Sequence, residues 1–107
     1  MDTLTKELQT FLVRLSYQPE TVSHQTEHYL EHLFHLLPAD EEEAVLHYFG
    51  VLGHRQEPLA QLARERNLSS EAMMEQIDVN LHRLAITPEW QMLKTLVTAS
   101  PVSETAP

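Results

Sequence analysis

The chain has 107 residues, 42% of them apolar, with two glycines and no cysteine. This is the size of one small domain; so little glycine excludes a turn-rich β protein, and the lack of cysteine excludes disulfides and thiolate metal sites. The formal net charge is −9, from 7 Lys and Arg against 16 Asp and Glu, which opposes strong autonomous binding to nucleic acid, where phosphate contacts need a basic face.

Residues 1–37 hold Lys6 and Arg14 against Asp2, Glu7, Glu20, Glu27 and Glu31, a net of −3 that leaves −6 for the remainder, so neither part is basic. No run of about 18 apolar residues occurs, and no membrane span is expected. The opening MDTLTKELQTF lacks a basic segment followed by an apolar one, so it does not read as a signal peptide, and the expected location is the cytoplasm. Leu, Glu, Gln and Ala favour helices. The expected fold is all-α, with five to six helices.

In chain order, Leu4, Leu8, Phe11, Leu12 and Leu15 recur at helical spacing over 3–16, with one buried stripe. Pro19 disfavours helical geometry at Gln18 and then suits the first turn of a second helix, running to about Leu37 with Val22, Tyr29, Leu33, Leu36 and Leu37 on one face. Pro38 ends it. The acids Asp40 to Glu43 suit the first turn of a third helix, which stops near Gly50. A loop precedes a short helix at Pro58 to Arg66; Asn67 is the turn residue and Ser69 the N-cap of a helix over 70–84. Thr87-Pro88-Glu89 starts the last helix, with Trp90, Leu93 and Val97 as its apolar stripe. The organisation expected is a helical hairpin over 1–37, a helix-turn-helix and closing helix packed as one unit over 38–98, and a disordered tail over 99–107.

Two short helices joined by a tight turn, the second with a Ser cap, fit the helix-turn-helix; Leu59, Leu62, Ala63, Leu68, Met73, Ile77 and Leu84 have the spacing to pack them together. The longer stretch Leu37 to Leu84 resembles region 4 of bacterial sigma factors, the promoter-reading domain of initiation factors of RNA polymerase. The resemblance rests on Leu37-Pro38, the acidic start Glu41 to Glu43, Tyr48-Phe49-Gly50, the loop length from Gly50 to Leu59, Leu59-x-x-Leu62-Ala63 and Leu68-Ser69-x-Glu71. It runs without a gap over a little under half of the chain. The resemblance implies that helix 70–84 lies in the major groove and that promoter DNA is contacted by Arg55, Arg64, Arg66, Ser69, Ser70, Glu71, Met74, Glu75 and Arg83.

Most of the departures lie on that same helix. The family's basic positions are occupied by Ser70, Ala72 and Met74 and its glutamine by Glu75, while His47 and Arg66 stand at apolar core positions. Only Glu71 is kept, where an acid can accept from a cytosine amine. A second reading follows: an acidic interaction module that uses the same scaffold to bind RNA polymerase, a sigma factor or another regulator without touching DNA. Met73, Met74, Met92 and Trp90 offer it a plastic surface, with core packing as the other role of Met73 and Trp90, and the N-terminal hairpin a route to a homodimer.

His24, His28, His32 and His35 share one helix face, within about 80° of one another at about 100° per residue. Pairs four apart suit a zinc or nickel ion, a pH switch or an ordinary solvent face; His24, His28 and His32 are the metal candidates. No nucleophile–base set, phosphate loop or complete metal motif is present, so neither an enzyme nor a cofactor is expected.

Overall fold

The computed structural model describes residues 2–105, with the side chains of 21 and 97–105 outside the description. Among the described residues the fold is all-helical: α1 (Thr3–Tyr17), a 3-10 turn (Pro19–Thr21), α2 (His24–Phe34), α3 (Ala39–Phe49), α4 (Leu59–Glu65), α5 (Ser70–Ala85) and α6 (Pro88–Thr105). No helix among them is long and apolar enough to cross a membrane.

Local chemistry sets the ends. Asp2, Ser23 and Ser69 each accept a hydrogen bond from the backbone N–H three residues on, capping α1, α2 and α5, and the Thr87 hydroxyl does the same for Trp90 at the start of α6. These caps satisfy N–H groups that a helix leaves without an internal partner. Gly50 closes α3 in the left-handed region (φ 68°), with its N–H on the Leu46 carbonyl. An added Cβ there would lie 2.7 Å from that of Gln56, so glycine also admits the following loop against the helix end. Asn67 turns the chain between α4 and α5 at φ 58°.

The second helix differs from expectation. Pro19 starts only the 3-10 turn, Val22 is extended, and α2 begins after Ser23. A β-branched residue in extended backbone followed by a serine cap outweighs a proline start. The buried face is also rotated: Leu30, Leu33, Phe34 and Leu37 are in the core, while Tyr29 and Leu36 are exposed. At the other end α6 runs through Thr105. Residues 106 and 107 lie outside the description.

One core joins all six helices. Helix α5 is its axis: α1, α3 and α4 pack on it, and α2 packs on α6. Of the first two helices, α1 therefore lies on α5 and α2 on α6. Leu8, Phe11, Leu12 and Leu15 of α1, with the buried residues of α2, are covered within the chain, while Tyr29 and Leu36 of the expected second-helix stripe stay exposed.

Candidate interaction face of the helix-turn-helix

The packing of α4 on α5 follows the spacing in the sequence. Leu62, Ala63, Met73, Ile77 and Leu84 are buried, and Leu59 and Leu68 are half-buried against the same core. After Asn67, the Leu68 N–H returns to the Ala63 carbonyl at 2.8 Å and Ser69 caps α5. With the apolar face of α5 committed to the core, its opposite face is left to solvent.

That outer face is acidic. Ser70, Glu71 and Glu75 are exposed along its first turns. Met74 is half-buried, its sulfur 3.6 Å from the Tyr48 hydroxyl, so it serves packing more than contact. Beside α5 opens a cleft of about 530 Å³, lined by Asp40, Glu41, Glu43, Glu65, Arg66, Leu68 and Gln76. Four carboxylates and one guanidinium share that space.

The arginines do not gather into a counterweight. Arg66 is half-buried, donates to the Leu62 carbonyl at 3.3 Å and lies 3.6 Å from Glu65; it caps the end of α4 in place of an apolar side chain. Arg83 donates to the Asn80 side-chain oxygen Oδ1 at 3.3 Å and lies 3.7 Å from Glu41. Arg55 and Arg64 are exposed and make no ion pair among the described residues. Of the nine residues proposed for DNA, Ser69 is occupied as a cap, Met74 by packing, and Arg66 and Arg83 by neighbouring oxygens.

The loop from Gly50 to Pro58 is held by a residue that sequence reasoning marked only as a departure. Nδ1 of the half-buried His47 is 2.8 Å from the Arg55 carbonyl and 3.0 Å from Glu57 Oε2, and the Glu57 N–H donates to the His47 carbonyl at 2.8 Å. Glu43 approaches Nε2 at 4.0 Å, and the His54 ring stands edge-on at 5.0 Å.

The proposed methionine surface splits in two. Met73 and Trp90 are in the core, with Trp90 5.8 Å from the Phe11 ring, whereas Met92 is 70% exposed. Met92 and Leu96 join Tyr29, His32, Pro88, Glu89 and Leu93 around an open groove of about 440 Å³ between α2 and α6. Tyr29 falls there because α2 is rotated from its expected face.

The histidines line the outside of α2. His28 and His32 meet Nε2 to Nε2 at 3.2 Å with their rings edge-on. His35 pairs with Glu42 of α3 at 2.9 Å, and His24 is 3.9 Å from Glu27. Among the described residues, no group of three or more histidine and carboxylate side chains is arranged to share one ion.

No protein-family model, curated protein or solved structure matches the chain.

Proposed function

We propose that this chain is a transcription-associated protein-interaction module, in which a helix-turn-helix with the frame of sigma region 4 presents an acidic face to a protein partner instead of reading DNA. The observation that carries the reading is the surround of α5: Glu71 and Glu75 on its exposed face, with Asp40, Glu41, Glu43 and Glu65 in the adjoining cleft. Duplex DNA brought to this face would meet carboxylates at the distances where phosphates need cations. A basic protein surface would meet complementary charge, which raises association rate and sets orientation. RNA polymerase, a sigma factor or another regulator is the class of partner that the sigma-like frame suggests.

Magnitudes favour this reading over direct DNA binding. Only Arg55 and Arg64 of the expected contacts are exposed cations outside ion pairs among the described residues. Two phosphate contacts give a salt slope of about −1.8 and little total affinity, whereas DNA-binding proteins use roughly 6–10.

Fluorescence anisotropy with labelled promoter-like and random duplexes, at about 50 mM and about 200 mM salt, tests the first half; no micromolar binding is expected at either. Core bacterial RNA polymerase immobilised on a sensor tests the second. Binding there should weaken with salt and in Glu71→Lys/Glu75→Lys. Tight, salt-sensitive binding to DNA would overturn the proposal and restore the promoter-reading function.

A further inference from the structure

We infer that His28 and His32 form a chelating site for one divalent transition-metal ion with a preference for imidazole ligands, of the copper, nickel or zinc class. Two features of the pair set it apart from a solvent face that happens to contain histidine.

The first is distance. Two ring nitrogens bound to one ion at about 2.0–2.1 Å lie about 3.3 Å apart at a tetrahedral angle and about 2.9 Å apart at a right angle. The two Nε2 atoms are 3.2 Å apart, inside that interval before any ion is present. One turn of helix separates the residues, so the backbone holds both on the same side, and an ion need not reorganise the chain to be gripped.

The second is the surroundings. Glu31 Oε1 lies 3.9 Å from His28 Nδ1, on the side of the ring away from His32. A carboxylate there, beyond hydrogen-bond reach but within Coulomb range, adds negative charge beside a bound cation. His35 is turned away to Glu42 at 2.9 Å, with its ring 6.5 Å from that of His32, so the stripe narrows to one pair. Both rings are exposed. Since no third side-chain donor joins them among the described residues, water completes the coordination.

Two neutral imidazoles select by ligand type. Copper, nickel and zinc accept nitrogen donors, in the affinity order copper above nickel and zinc, while magnesium and calcium require oxygen. The site is independent of the acidic face of α5 and stands whichever partner that face takes.

Calorimetric titration of the full chain with Cu²⁺, Zn²⁺ and Mg²⁺ tests the inference. One Cu²⁺ per chain is expected, bound more tightly than Zn²⁺, with no heat from Mg²⁺. His28→Ala and His32→Ala should each weaken Cu²⁺ binding by roughly tenfold or more, and His24→Ala should leave it unchanged. As all three side chains are exposed, the variants should keep the far-ultraviolet circular dichroism of the parent. No Cu²⁺ binding, or equal affinity in the parent, His28→Ala and His32→Ala, would reduce the pair to a ring-to-ring hydrogen bond and overturn the site. One ion per two chains would overturn the single-chain chelate in favour of an ion bridging two copies.

Discussion

The imidazole of His47 is half-buried between α3 and the loop behind it. One ring nitrogen serves two oxygens, the Arg55 carbonyl at 2.8 Å and Glu57 at 3.0 Å. A half-buried acceptor that loses its donor costs about 1–3 kcal/mol. His47→Ala should therefore lower the urea unfolding free energy by about 1–2 kcal/mol without changing the slope with denaturant, so a larger loss or a changed slope would assign His47 some other role. At the N-terminal end, Asp2 is held below its ordinary value by hydrogen bonding from Thr5, through the side chain first and then the backbone N–H; desolvation opposes this, and the His82 imidazole 2.8 Å away adds a lesser attraction. A carboxylate whose folded value is depressed stabilises the fold above its unfolded value and loses that contribution as pH falls through the folded one. Asp2→Ala should thus unfold at lower urea than the parent at pH near 7, and the gap should close below about pH 3.8, the unperturbed value. A gap that persists in acid would show that Asp2 acts by packing rather than by charge.

At the scale of elements, what could be read from the sequence depended on whether the cause was local. Ser69, Asn67, Gly50 and Thr87 act on neighbours within three or four residues, and the boundaries they set were legible. Ser23 acts just as locally and was still overlooked, because Pro19 offered a competing start four residues earlier. The rotation of α2 is a different kind of miss: Tyr29 and Leu36 are as apolar as Leu30 and Phe34, and only the approach of α6 decides which pair is buried. The candidate interaction face was legible as a deficit of basic residues on α5; that Arg66 and Arg83 are engaged by Glu65 and Glu41 required the fold. The cap itself is open to test. Ser23 Oγ accepts from the Thr26 N–H at 3.1 Å, and replacing a serine cap by alanine costs about 1 kcal/mol. Ser23→Ala should lower the melting temperature by about 4 °C, with the loss confined to α2 in hydrogen exchange. Equal loss of protection in α1 would mean that the 3-10 turn, not the cap, sets the start of the helix.

For the whole molecule, the decisive property is that the segment from Leu37 to Leu84 does not own its core. Phe11 of α1 meets Trp90 of α6, α1 lies along α5, and α2 lies along α6. Leu8, Leu12, Leu30, Leu33 and Phe34, all at most 1% exposed, belong to the first 37 residues. Burying a side chain of this size contributes roughly 1.5–3 kcal/mol, so the five together contribute on the order of 10 kcal/mol, comparable with the whole stability of about 5–15 kcal/mol expected of a small domain. A fragment beginning at Pro38 would also expose Trp90, Leu81 and Phe49 to water. It should therefore lose the cooperative urea transition and the near-ultraviolet signal of Trp90, while part of its helix content survives. A chain built as a hairpin beside an autonomous helix-turn-helix behaves differently: the fragment would keep a sharp transition and a native Trp90 signal, and the first two helices would then be a separable accessory. The packing of α1 on α5 favours the first outcome: the N-terminal helices are part of the core on which α5 rests.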